Sequence, residues 1–331
     1  MPGTNNPSFV PGTIIEAARW LAAGELVAFP TETVYGLGAD ARNPAAVAKI
    51  FALKGRPADH PVIVHVIDAR AIAEWASDVP ESARKLAARF WPGPLTLIVK
   101  KAAHVSDAVT GGQDTVGLRC PSHPIARQLL EEFARVGSGA IAAPSANKFG
   151  QVSPTTAEHV RDEFGADLFI LDGGACDVGL ESTIVDLSRG VPVLLRPGAV
   201  SRDDIRDVLG VKPRDRDAAA PRASGTLAAH YAPRTALDVV TPATLDQEVR
   251  NFTNVAVLAM REAPRNALVT SWIVASADPM RYAHDLYANL RRLDASGAKR
   301  ILVEAPPVTP EWEAVNDRLG RAAAGSSGEE P

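Results

Sequence analysis

A chain of 331 residues has room for about two domains at the usual ~150 residues each, and a hydrophobic content of 46% is that of a protein with a buried core, so disorder is excluded as its main state. Two cysteines, Cys120 and Cys176, neither in a C-x-x-C pair, exclude a disulfide framework and a sulfur-ligated zinc site; a net charge of -4 excludes a global basic field for nucleic acid, and 5% aromatics argue against an extended stacking surface for single strands. No apolar run approaches the ~18 residues of a membrane helix, and the opening MPGTNNPSFVPG lacks the basic and apolar parts of a signal peptide, so a soluble, cytoplasmic protein without membrane partners is expected.

In chain order, a helix over 14–23 leads into the strand ELVAF. Asn43 and Pro44 form an N-cap and first-turn pair; Val47, Ile50, Phe51 and Lys54 then share one helix face, and Gly55 ends the helix. That pattern puts Lys54 at a helix end, facing inward. Strands follow at PVIVHV, LTLIVK, TVGLRC, GAIAAP and LFILDG, and STIVDLSRGVPVLLR reads as a hairpin turning at Arg189-Gly190. The alternation of strands and helices over 1–210 predicts one α/β domain. Residues 211–234, rich in Pro, Ala, Gly and charge with no apolar period, read as a linker longer than a plain connector needs, and therefore as a candidate active-site lid. LDVV, VAVLA, SWIVASA, a helix over 280–295 and RILVEA make a smaller α/β domain over 235–325, and 326–331 reads as a disordered tail.

Gly36-Leu37-Gly38-Ala39-Asp40-Ala41 matches the dinucleotide fingerprint letter for letter, but the polar PTET separates it from its strand and the next helix starts only at Pro44, so the match is weak. No Gly-Lys dipeptide exists, which excludes a P-loop. What remains is a set of polar residues at strand and helix edges: Thr33, Lys54, Arg56, His65, Thr115, Arg119, Ser145, Asn147, Ser153, Ser182 and Arg196. Each has a bland alternative. Lys54 and Arg56 could be a solvated helix end, His65 a satisfied core histidine, and Ser153 before Pro154 a helix N-cap, one able to aim a helix N-terminus at an anion. A turn at Arg189-Gly190 places Thr183 opposite Arg196, so Ser182 and Arg196 lie side by side at the open end. Four cations at strand ends, Lys54, Arg56, Arg119 and Arg196, match the charge of a magnesium-nucleotide triphosphate.

The ordered set PTETVYGLG at 30–38, KGRP at 54–57, SAN at 145–147 and ESTIVD at 181–186 resembles the YrdC-type threonylcarbamoyl-AMP synthase family. HYAP at 230–233, LRRLDASGAKRILVEAPP at 290–307 and NDRLGRAA at 316–323 are similar to its longer, two-domain members. The resemblance implies a YrdC-like twisted mixed sheet with a concave basic cavity, joined by a long linker to a smaller Rossmann-like α/β domain. It implies a nucleotidyltransferase that makes threonylcarbamoyl-AMP and diphosphate from L-threonine, bicarbonate and ATP with Mg2+. The product would pass to a tRNA threonylcarbamoyl transferase complex for N6-threonylcarbamoyladenosine formation. By motif matching, the resemblance implicates Thr33, His65, Arg119, the Ala143 backbone and Ser182 for threonine. For ATP it implicates Arg56, His60, Thr115, Ser145, Asn147, Ser153, Arg196 and Tyr231, with Lys54 and Arg56 facing the phosphates as the catalytic cations; the metal ligands are not readable. The chemistry suits these types, since an arginine can grip a carboxylate bidentately and phosphoryl chemistry rests mainly on positioning and charge neutralisation. Tyr231 would close over the nucleotide and exclude water. His60 departs from the small amide residue of many relatives, and PPVTPEWEAVNDR replaces a more glycine-rich run. Two alternatives stand beside it: an RNA-binding module using the same cavity, with direct tRNA binding that falls steeply with salt and ignores ATP and threonine as its sign, and a carbamoyl transfer domain of the same fold, whose accompanying zinc-finger cysteines this chain lacks.

Overall fold

The structure, a computed structural model, describes residues 11–265 and 267–326; the disordered-tail expectation therefore falls outside the described residues except at Ser326. The chain forms two compact units: the first holds the residues up to Lys148, Pro154–Asp177 and Glu181–Ser224, and the second holds Phe149–Ser153, Val178–Leu180 and the chain from Gly225 onward. Among the described residues, no helix is long and apolar enough to cross a membrane.

The first unit carries ten strands: Val27–Phe29 (β1), Gly36–Asp40 (β2), Ile63–His65 (β3), Leu95–Lys100 (β4), Thr115–Arg119 (β5), Ile141–Ala142 (β6), Phe169–Ile170 (β7), Thr183–Asp186 (β8), Val193–Arg196 (β9) and Arg214–Asp215 (β10). They form one mixed sheet in the order β10-β9-β8-β4-β5-β3-β6-β2-β1-β7. The helix Pro44–Lys54 is set by local sequence: the Asn43 side chain accepts the N–H groups of Ala45 and Ala46, Pro44 occupies the first turn, and Gly55 at φ 65° ends it in the left-handed region. Its buried face is Ala46, Val47, Ile50, Phe51 and Lys54, as the periodicity predicts.

The weak fingerprint match proves to be a strand, and two readings change. The fingerprint glycines lie in β2, a strand that the glycine content hides; a Cβ on Gly38 would stand 2.8 Å from Ile141 and 2.9 Å from Phe29, so close packing requires glycine there and no phosphate loop exists. In the hairpin, Ile184 rather than Thr183 is opposite Arg196, because a bulge between Ile184 and Val185 shifts the register by one. Ser153 is not an N-cap: the helix Ala157–Phe164 is capped by Thr156, whose side chain accepts the His159 N–H.

The second unit is a parallel sheet of Ala236–Val240 (β11), Val255–Ala259 (β12), Ser271–Val274 (β13) and Arg300–Glu304 (β14), in the order β11-β14-β12-β13, with helices Pro242–Asn251, Pro279–Asp294 and Glu313–Ser326. This is the smaller, Rossmann-like α/β arrangement that the resemblance implies. Residues 211–224 are ordered as part of the first unit: β10 pairs with β9, Asp217 pairs with Arg189, and Arg222 donates its N–H to Gln113 and its guanidinium to the Gly111 carbonyl. Residues 225–234 belong to the second unit, where the Ala232 N–H donates to the Gly150 carbonyl and Arg321 to the Leu227 carbonyl.

Candidate active site

The order of strands in the first sheet assembles the site. His65 and Arg119 end the parallel neighbours β3 and β5 and are register partners, and Thr96 on β4 is the partner of Arg119 on its other side. Thr96 Oγ1 lies 2.8 Å from the Oγ of Ser182, the residue before β8. Arg196, ending β9, donates from Nη2 to Ser182 Oγ at 3.2 Å, from Nε to the Ser182 carbonyl at 3.1 Å, and from Nη1 to the Ser224 carbonyl at 2.9 Å. The bulge thus preserves the pairing of Ser182 with Arg196 that the simple hairpin predicts. Ser224 Oγ is 3.4 Å from Arg56 Nη2, and both groups donate to the Pro61 carbonyl at 2.9 Å.

On the far side of Arg119 stands the PTET turn. Glu32 accepts from Arg119 Nη2 at 2.7 Å, and Thr33 Oγ1 lies 2.8 Å from Thr31 Oγ1. Lys54 reaches in from its helix end and donates to the carbonyls of Ser145, at 2.6 Å, and Asn147. Ser145 is tied to β2 by a bridge to Gly36. The Ala143 N–H is spent on the Ile63 carbonyl, so its own carbonyl is what it can offer a ligand.

Electrostatics sharpen the picture. The four cations expected at strand ends are all buried, but only two end strands: Arg119 (4% exposed) closes β5 and Arg196 (3%) closes β9, whereas Lys54 (3%) ends the helix Pro44–Lys54 and Arg56 (7%) lies just beyond it. Burial, and then the neighbouring Arg56 charge, lowers the pKa of Lys54 well below its ordinary value. Burial, and then Arg119, pushes His65 down to about 3, so its imidazole is neutral at neutral pH; its Nδ1 is buried without a partner. Half-buried His60 is lowered by the same two kinds of cause, burial first and Arg56 second. Beside these groups a small pocket is walled by Pro61, Ile63, Ile98, Gly117 and Ile184, with Thr115 as a polar contact and Ala223 and Ser224 along one side. Such a site can hold an anion at its guanidinium groups and a flat apolar body against its aliphatic walls.

Of the residues singled out from sequence, Thr33, Lys54, Arg56, His60, His65, Thr115, Arg119, Ala143, Ser145, Asn147, Ser182 and Arg196 all belong to this unit. Ser153 and Tyr231 belong to the second. Tyr231 has φ 61°, its ring stacks on Tyr287 at 5.7 Å with the Arg318 guanidinium 5.2 Å from its centroid, and its hydroxyl donates to the Gly225 carbonyl at 3.3 Å. Sequence reasoning missed Glu32 and Thr96. Thr96 sits in LTLIVK, which reads as core, and Glu32 carried one signal only, its place beside Thr33. Among the described residues, no group of three or more His, Cys, Asp or Glu could hold a metal.

A mixed α/β sheet with Arg119 and Arg196 buried at its strand ends, Lys54 and Arg56 buried at an adjoining helix end, and an aliphatic pocket beside them has the make-up of a site for small anionic ligands. The particular family follows from relatives. Residues 19–198 match the Sua5/YciO/YrdC family, described as telomere recombination, and residues 200–324 match the family described as threonylcarbamoyl-AMP synthase, C-terminal domain; the chain belongs to the two-domain members of this Sua5/YrdC family. It is similar to a threonylcarbamoyl-AMP synthase of Pyrococcus abyssi, 40% identical over 93% of both chains. A second relative, the threonylcarbamoyl-AMP synthase of Bacillus subtilis, is 39% identical over 97% of this chain and 94% of its own. Among solved structures, P. abyssi Sua5 complexed with L-threonine superposes with a TM-score of 0.87 at 37% identity, covering 96% of each chain.

Proposed function

We propose that this chain is a threonylcarbamoyl-AMP synthase that joins L-threonine, bicarbonate and ATP into threonylcarbamoyl-AMP, diphosphate and water. The observation that carries the reading is the continuous contact chain from Glu32 through Arg119, Thr96, Ser182, Arg196 and Ser224 to Arg56, which links a carboxylate-binding guanidinium to a cationic, pocket-lined end of the same sheet. Threonine is assigned to Arg119, Thr33, His65, Ser182 and the Ala143 carbonyl. Its carboxylate meets Arg119, and neutral His65 can accept or donate one hydrogen bond without adding charge.

ATP is assigned to Arg56, His60, Thr115, Ser145, Asn147 and Arg196 of the first unit, with the base against Ile63, Ile98 and Ile184 and the phosphates at Lys54, Arg56 and Arg196. The carbamate formed from threonine is already an anion, so its attack on the α-phosphorus needs no general base on the protein. What the residues contribute is orientation and stabilisation of the charge that leaves with diphosphate. The described residues form no protein cage for Mg2+, and no step here passes through it; magnesium binds phosphate oxygens and keeps its own waters, so we assign it to the nucleotide. We also assign a tRNA threonylcarbamoyl transferase complex in the cytoplasm as the acceptor of so labile a product.

The test is diphosphate release from ATP and magnesium, with and without threonine and bicarbonate, by wild type, Lys54→Ala and Arg56→Ala. The expected result is release that requires both co-substrates and falls at least about a hundredfold in either variant. ATP left intact under every combination, with RNA affinity that drops steeply with salt, would replace the enzyme with an RNA-binding module.

A further inference from the structure

Resting on the synthase reading, we infer that Glu32 is the positioning residue that presents Arg119 to the amino-acid carboxylate, and that it thereby sets the site's preference for a free α-carboxylate. Both side chains are 5% exposed. A buried ion pair is by itself weak evidence for a stabilising role, so the division of its donors and acceptors matters more than its presence.

Glu32 Oε1 accepts from Arg119 Nη2 at 2.7 Å, while Oε2 accepts from the Ser122 backbone N–H at 3.0 Å. The second bond draws Oε2 away from the guanidinium. The pair therefore stays single-stranded instead of closing into the two-bond fork that an arginine and a carboxylate ordinarily make. Arg119 Nε, on the same edge as Nη2, is left buried with no partner. Its strand neighbours supply no competing carboxylate, since His65 is neutral and Thr96 Oγ1 is engaged with Ser182. The guanidinium is thus fixed in direction and held short of saturation. A second carboxylate, the one on the substrate, completes it.

Only a carboxylate at position 32 can do this. It must accept from two donors at once, and a glutamine amide turns an N–H toward either Nη2 or the Ser122 N–H, whichever way it sits. Aspartate keeps the charge but is one methylene too short to reach both. The backbone at Glu32 does not depend on this side chain. Thr31 Oγ1 accepts the N–H groups of Thr33 and Val34 and donates to the Val34 carbonyl, so the turn is held from within.

The experiment is steady-state diphosphate release by wild type, Glu32→Gln and Glu32→Asp, with L-threonine and ATP varied separately and L-threoninamide as the substrate lacking a carboxylate, alongside thermal melting of each protein. We expect the threonine KM to rise about tenfold or more in both variants with the ATP KM within about twofold. The preference for threonine over threoninamide should shrink by a similar factor in Glu32→Gln. Unmoved threonine KM, a parallel rise in both KM values, or loss of a cooperative melt overturns the inference, the last because it would make Glu32 part of the fold. Wild-type release that ignores threonine sinks the synthase reading and this inference with it; threonine-dependent wild-type release with unmoved variants sinks the inference alone.

Discussion

Each unit of the molecule holds a buried glutamate set against an arginine, Glu32 with Arg119 and Glu304 with Arg261, and the two pairs are built to opposite ends. At the carboxyl end of β14, Glu304 accepts from the Met260 N–H at 2.9 Å and from Arg261 Nε at 2.7 Å; Arg261 also pairs with Asp246 at 2.7 Å and donates to the Pro242 carbonyl at 3.2 Å. Each of the three nitrogens of that guanidinium meets a fixed partner, and together they tie strand ends to a helix. In the first unit, Arg119 gives one bond to Glu32 and leaves its Nε buried with no partner. The first arrangement braces the fold, whereas the second leaves a donor for a ligand.

The comparison breaks most easily at Arg119. If Arg119 holds the threonine carboxylate as proposed, Arg119→Ala removes that grip and leaves Glu32 buried with one backbone partner, so threonine-dependent kcat/KM should fall by about a thousandfold. A fall of less than tenfold in initial-rate assays would mean that the two arginines do not differ in kind. Arg261→Ala sharpens the contrast. Unfolding in urea should show a loss of about 1–2 kcal/mol in the second unit, with kcat/KM for threonine and ATP within about twofold of wild type.

The last effect, on stability alone, concerns the register partner of Arg119. His65 has its folded pKa depressed from 6.5 to about 3, so the unfolded chain takes up a proton that the folded chain refuses. Its stabilising share is complete above pH 6.5 and is lost as pH falls toward 3, with a limiting slope of about 1.4 kcal/mol per pH unit. Melting temperatures compared at pH 7 and pH 5 should drop more in wild type than in His65→Gln. Equal drops would show that His65 is not held neutral.

Where the determinants are local, the sequence is legible. Asn43, Pro44 and Gly55 bracket one helix and the apolar spacing between them fixes its buried face, so Lys54 is placed correctly from a dozen residues. Where they are distant, reading fails for stated reasons. β2 goes unnamed among the predicted strands because its glycines answer to Phe29 and Ile141, the latter about a hundred residues away. The hairpin register slips because nothing in STIVDLSRGVPVLLR announces a bulge. The stretch 211–224 shows no apolar period because it is held by polar anchors such as Gln113 and Gly111 rather than by a buried face. Most of the site was visible as family motifs, each lying at the end of a strand or helix. Glu32 lies inside one of those motifs, PTETVYGLG, but its role was not legible, because its partner is a guanidinium 87 positions along the chain.

The place where the chain passes from one unit to the other has a practical meaning for anyone wishing to isolate the first. Arg196 donates to the carbonyl of Ser224 and Arg56 approaches its hydroxyl, and both contacts come from the last residue before the division at Gly225. A fragment trimmed at 210, where the composition changes, discards the acceptor that orients one cation and the neighbour of another, along with the Ala223 side of the pocket. The natural terminus of a minimal version is therefore after Ser224, fourteen residues past the point that a composition plot would choose.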